Sequence, residues 1–168
     1  MQALTADEVR ASFANCSRTR ARRLAVPAGV EGAYRADAVL IGWRDQRAPR
    51  EAYLLAEHEG RPVGVLLRAT GSGPRRGSGL CDLCHAARPA GEVVLLVARR
   101  AGPAGRRDDT VGLYACADLT CDLAARGLTQ PVLPQPERPG PARVEGLRRR
   151  LAAFLERVLG DGALRATG

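Results

Sequence analysis

The apolar positions of this chain change period twice. Near the start, Thr5 followed by Glu8 has the spacing of a capping box, in which a hydroxyl and a carboxylate each satisfy a backbone N–H of the first helical turn. Ala6, Val9, Phe13 and Cys16 then recur at intervals of three or four, the repeat of one helix face. The spacing predicts an amphipathic helix over TADEVRASFANC and a second short helix over Ser17 to Leu24, ended by Pro27 and Gly29.

From Val39 the pattern shortens to apolar, β-branched and aromatic runs: VLIGW (39–43), AYLLAEH (52–58) and PVGVLLRA (62–69). The last two are joined by EGRP, whose Gly60 and Pro62 suit a tight hairpin. TGSGPRRGSG (70–79) reads as a flexible stretch. EVVLLVAR (92–99) and TVGLYA (110–115) are two further strands, separated by the Gly- and Arg-rich tip RAGPAGRRDD (100–109), and a helix is expected from about Asp118 to Arg126, stopped by Gly127.

QPVLPQPERPGP (130–141) reads as an extended connector. Beyond it the helical period returns. Val144, Leu147, Leu151, Phe154, Leu155 and Val158 define an amphipathic helix over 143–159, expected to lay its apolar stripe on the chain's own sheet rather than await a partner helix. The fold class is therefore α+β. We expect one domain over 1–160, comprising a helical segment (1–26), a β-rich core (38–128) and the terminal helix (143–159), with a flexible tail at 161–168.

Composition adds limits. Of 168 residues 45% are hydrophobic but only 4% aromatic, so Leu, Val and Ala must build the core. The longest apolar run, VVLLVA (93–98), is far short of the roughly 18–20 residues that span a membrane. The N-terminus lacks a basic start followed by an apolar core, so no signal peptide and a cytoplasmic location are expected. The net charge is +8 and all 26 basic residues are Arg, a bias that base composition explains readily. The positive balance itself favours an acidic partner: RNA, a ribosomal surface or an acidic protein.

Five cysteines in a reducing compartment point to metal or burial rather than disulfides. GLCDLCHAARP (79–89) is open to three chemistries: haem attachment through C-x-x-C-H, a redox dithiol, or half of a zinc site. Haem attachment needs export and a second axial ligand, and the only Met is Met1. A dithiol needs no second pair. Here a second pair follows: Cys81 and Cys84, then 31 residues, then Cys116 and Cys121. Four thiolates suit one structural Zn²⁺ in a closed tetrahedral site, whereas a catalytic zinc keeps an open position. The order of knuckle, hairpin and ligand-bearing helix is that of a treble-clef zinc finger. His85 is expected to point away from the metal, and Cys16 to be a small core residue. No enzyme activity and no small-molecule substrate are expected.

Three Arg doublets flank this unit: Arg75 with Arg76, Arg99 with Arg100, and Arg106 with Arg107. The last two would stand on either side of one hairpin tip as a basic prong, a candidate partner-binding surface, although a solvated loop is an equal reading. Asp108 and Asp109 place acid within it.

Together, FANCSR (13–18), IGWRD (41–45) with AYLL (52–55), CDLC (81–84), AGRRDDTVGLYACADLTC (104–121) and the terminal helix resemble the zinc-binding domain of the FusB-type elongation factor G-binding proteins, known for fusidic acid resistance. The resemblance covers roughly residues 5–160. It implies a non-enzymatic treble-clef module that binds elongation factor G and helps release it from ribosomes on which fusidic acid has trapped it, with Cys81, Cys84, Cys116 and Cys121 as metal ligands. The resistance proteins carry an additional N-terminal helical bundle for which the stretch before Val39 is too short. An RNA- or ribosome-binding zinc finger is the alternative that the charge supports.

Overall fold

A computed structural model of the chain describes residues 4–30, 37–71, 77–131, 133–135 and 140–160. Two short helices, α1 (Ala6–Ala11) and α2 (Arg18–Arg22), lead into β1 (Leu40–Arg44), β2 (Glu51–His58), β3 (Arg61–Ala69), β4 (Ser78–Leu80), β5 (Ala87–Pro89) and β6 (Val93–Arg99). Helix α3 (Gly102–Arg106), β7 (Thr110–Cys116), α4 (Cys121–Arg126) and α5 (Gly140–Leu159) complete the order. Strands β1-β2-β3-β6-β7 form one antiparallel sheet, and β4-β5 a separate small hairpin.

The capping box at Thr5 and Glu8 is present, but α1 stops at Ala11, well before Cys16. Ser12 turns its hydroxyl back to the Val9 carbonyl, 2.7 Å away, a local bond that competes with helix continuation. The chain then leaves the helix to pair with β3, Ala14 N donating to the Gly64 carbonyl and Gly64 N to that of Ser12. The β2–β3 connection is the expected tight hairpin. Its two residues, Glu59 and Gly60, both take positive φ (50° and 74°), as a type I′ turn requires, while Pro62 lies one residue inside the strand.

The sheet has a different packing on each face, as period-two side-chain alternation allows. On one face Ala52, Leu54, Ala56, Val65, Leu67 and Leu96 meet Leu147, Leu151, Phe154, Leu155 and Val158 of α5. The stripe therefore closes the chain's own core. On the other face Val9, Ala21 and Leu24 cover an aromatic trio, with Phe13 edge-on to both Trp43 and Tyr53 at centroid distances of 6.3 and 5.9 Å. The Leu/Val/Ala expectation holds for the α5 face apart from Phe154, and three of the chain's few aromatics are gathered on this one.

Strands β3 and β6 pair only at Arg68 with Val97 and at Ala69 with Leu96, so the sheet splays beside that short contact. Asn15 fills the opening. Its Nδ2 donates to the carbonyls of Leu66 (2.9 Å) and Arg99 (3.0 Å), and its Oδ1 accepts from Leu66 N (2.8 Å). One buried amide thus satisfies backbone groups on two strands that would otherwise lack partners.

Three further expectations change beside the early end of α1. The terminal helix begins at Gly140 instead of 143, because Pro141 is compatible with a first helical turn, where its missing N–H costs nothing. The helix expected from Asp118 starts at Cys121. The 100–109 tip contains α3 where a loop was expected, Pro103 lying in its first turn. The proposed tail, 161–168, lies outside the described residues.

Candidate metal centre

The hairpin β4–β5 carries the CDLC turn at its end. Cys84 N approaches Cys81 Sγ at 3.4 Å, and His85 N donates to the Cys81 carbonyl at 2.9 Å. His85 takes φ 56°, turning the chain out of the knuckle and into β5. Asp82 docks this turn on β7: its backbone N donates to the Tyr114 carbonyl at 2.7 Å, and its Oδ2 accepts from Tyr114 N at 2.6 Å.

The second pair is placed by β7 and α4. Cys116 is the last residue of the strand and Cys121 the first of the helix. Between them Leu119 takes φ 58° and its N–H bonds the Cys116 carbonyl, while Asp118 Oδ1 accepts from Thr120 N and Oγ1. Helix α4 is fixed from its other side by the buried Asp122, which accepts from Val39 N at 2.9 Å and from Arg126 Nε at 2.8 Å. Arg126 also reaches the carboxylate and carbonyl of Asp37.

These elements bring all four sulfurs together. They are buried, and their ligand atoms lie within 4.8 Å of one another. Cys81 and Cys121 sulfurs are 3.7 Å apart, and those of Cys84 and Cys116 3.6 Å. A tetrahedron of thiolates at a Zn–S distance of about 2.3 Å has edges of about 3.8 Å. The donor set therefore fits one zinc ion, and the spacings are far from a disulfide length of about 2.05 Å. His85 lies beside this cluster without belonging to it.

The charge of the cluster explains why it calls for a cation. Hydrogen bonds from the Cys116, Cys121 and Cys84 thiols hold Cys81 well below the usual thiol range. Those same contacts, from Cys116, Cys81 and Cys84, together with burial, push Cys121 far above it. Four buried thiols cannot all ionise by themselves, and a dication removes that conflict. Arg88 supplies further positive charge. It contacts Thr120 Oγ1 at 3.2 Å and pairs with Glu92 and Asp118. Burial opposes its charge, but the nearby Cys116, Asp118 and Cys84 outweigh that and bind its proton more tightly than usual.

The Arg doublets separate. Arg75 and Arg76 lie outside the described residues. Arg99 pairs with Asp108 at 2.7 Å, and Arg100 with Asp109 at 3.3 Å while also donating to the Arg157 carbonyl. Arg106 and Arg107 close α3 on the exposed side. Arg99, Arg100 and Arg106 border a cleft of about 730 Å³ at the sheet's splay. Cys16 is half-buried on that border, away from the sulfur cluster, and burial raises its thiol pKa. Sequence reasoning missed Asp82, Arg88, Asp122 and Arg150, which position the ligands; Asp82 and Asp122 each directly follow a ligand, the one available signal.

A family model described as the FBP C-terminal treble-clef zinc-finger matches residues 8–158. No curated protein and no solved structure is significantly similar to the chain.

Proposed function

This chain belongs to the FBP C-terminal treble-clef zinc-finger family, and from that premise we propose that it is a non-catalytic, zinc-stabilised module that docks on elongation factor G and alters the time the factor spends on the ribosome. The family match over 8–158, with its four-sulfur cluster, carries the reading. Bound zinc would supply a cross-link joining the knuckle, β7 and α4. The chain's own residues do the rest: Asp82 docks the knuckle on β7, Asp122 ties α4 to the start of β1, and α5 closes the face behind them. The outer surface of these elements is thereby held in one shape, which a docking module needs for affinity without ordering costs.

Release of a factor trapped by fusidic acid is the finer form of this proposal. Zinc-loaded protein titrated against its cognate elongation factor G, free and on drug-stalled ribosomes, tests both levels. Saturable binding with faster factor release is expected, and absence of binding to either form would refute the reading.

An RNA-binding role has the net charge of +8 and the exposed Arg106 and Arg107 in its favour. The pairing of Arg99 with Asp108 and of Arg100 with Asp109 favours a protein partner instead. Affinity for ribosomal RNA that falls steeply with salt while elongation factor G binding is absent would reverse that preference. No described helix is long and apolar enough to cross a membrane.

A further inference from the structure

A second cleft, of about 460 Å³, opens between the outer side of the knuckle, the end of α4 and the first half of α5. Its described lining includes Arg88, Arg143, Arg149 and Arg150 and contains no Asp or Glu. That separates it from the cleft at the sheet's splay, where Arg20 pairs with Glu51, Arg99 with Asp108 and Arg100 with Asp109.

Two of the four arginines are committed. Arg88 serves the thiolate side with Glu92 and Asp118, and Arg150 donates from Nε to the Leu83 carbonyl at 2.7 Å. Arg143 and Arg149 are different. Arg143 Nε is buried and has no hydrogen-bond partner among the described residues, which is costly for a charged donor. A Cβ at Gly127 would come 3.1 Å from Arg143 Nη2, so the missing side chain there gives the guanidinium its place. Arg149 is exposed one and a half turns further along the same helix. Thr129, Gln130 and Gln135 add neutral polar groups to the border.

We propose that this cleft is a binding site for a small phosphorylated ligand, its phosphate held by Arg143 and Arg149. The planar fork of guanidinium donors matches phosphate oxygens in pairs, and a concave, water-poor wall concentrates the field of charges that line it. The volume is within the range of small-molecule sites, about 300–1,000 Å³. Among the described lining residues there is no Phe, Tyr or Trp, and the guanidinium pair makes the phosphate the group recognised. Leu80, Ala86 and Pro131 offer apolar contact to a compact body attached to it. This site is independent of docking on elongation factor G.

The test is an amide-resolved NMR titration of the zinc-loaded full chain with inorganic phosphate, with pyrophosphate and, as separate arms, with acetate and a poly-glutamate peptide. Saturable shifts at Ala86, Gly127 and Arg149 with phosphate or pyrophosphate are expected, weakened at least tenfold in Arg149→Gln and in Arg143→Gln. Arg149 is exposed, so its variant keeps the fold even where Arg143→Gln does not. Arg106→Gln, in the other cleft, should leave the titration unchanged. Absent or unsaturable shifts with phosphate and pyrophosphate, an equal response to acetate, loss equal in Arg106→Gln, or a response to poly-glutamate without one to phosphate would each overturn the proposal.

Discussion

Arg150, two turns from the end of α5's buried stripe, donates its Nε to the carbonyl of Leu83, 2.7 Å away and between the first two metal ligands. The terminal helix is thus bonded directly to the zinc knuckle. Gly146 makes room for it, since a Cβ there would meet the Arg150 guanidinium at 2.9 Å. Losing a charged donor to a part-buried carbonyl costs about 1–3 kcal/mol. Arg150→Leu should lower stability by that amount in urea denaturation and weaken zinc retention against a competing chelator, with Arg150→Lys recovering part of both.

Asn15 should matter more than its place beside a short helix suggests. Asn15→Ala removes three hydrogen bonds and strands backbone groups of Leu66 and Arg99. At about 1–3 kcal/mol for each buried group left unpaired, a loss of about 3 kcal/mol is expected. Urea denaturation measures it, and zinc stoichiometry in the folded fraction should not change.

Gly42 on β1 is packed against the loop between the second pair of ligands. A Cβ there would meet Leu119 Cβ at 2.4 Å, and Leu119 is held at φ 58° with its N–H on the Cys116 carbonyl. Gly42→Ala should cost about 1–3 kcal/mol by overpacking and loosen the metal by displacing that loop. Gly112→Ala, whose nearest contact is the end of the Leu95 side chain at 3.3 Å, is the control expected to cost less. Thermal melts of both variants with zinc, and zinc competition, make the comparison.

Acid should release the metal before it unfolds the rest of the carboxylate network. Zinc binds thiolates, so all four bound ligands are held ionised below their usual range, including Cys121, which its thiol neighbours and burial push above that range by themselves. A group with a depressed pKa contributes stability above its unfolded value and loses it as pH falls through its folded value. Stability of the zinc-loaded protein should therefore fall with falling pH, with metal appearing in solution. A chromophoric zinc indicator read alongside circular dichroism follows both.

The sequence made the local and periodic features legible. Thr5 with Glu8, the hairpin at EGRP, the α5 stripe and the two Cys pairs are signals carried by near neighbours or by fixed spacing, and each appears in the structure, the hairpin turn narrowing to Glu59 and Gly60 with Pro62 inside the strand. What it concealed depends on distant partners. α1 ends early because Ser12 and Ala14 pair with Gly64 on β3, and Asn15 bonds residues 51 and 84 positions away. The acid within the Arg prong was visible in sequence, but not its pairing: Asp108 meets Arg99 and Asp109 meets Arg100 across the tip. In the metal centre the donors were visible from spacing alone. Asp82, Arg88 and Arg150, which hold and balance them, were not, because ordinary polar residues gain such roles only through the fold.

The most direct test of the account is native mass spectrometry of the chain purified without added metal, followed by chelation under NMR observation. The structure leads us to expect one zinc ion per chain, its loss on mutation of Cys121 to Ser, and collapse of the dispersed amide spectrum when the metal is withdrawn. A metal-free chain that keeps the dispersed spectrum of the folded protein would contradict it.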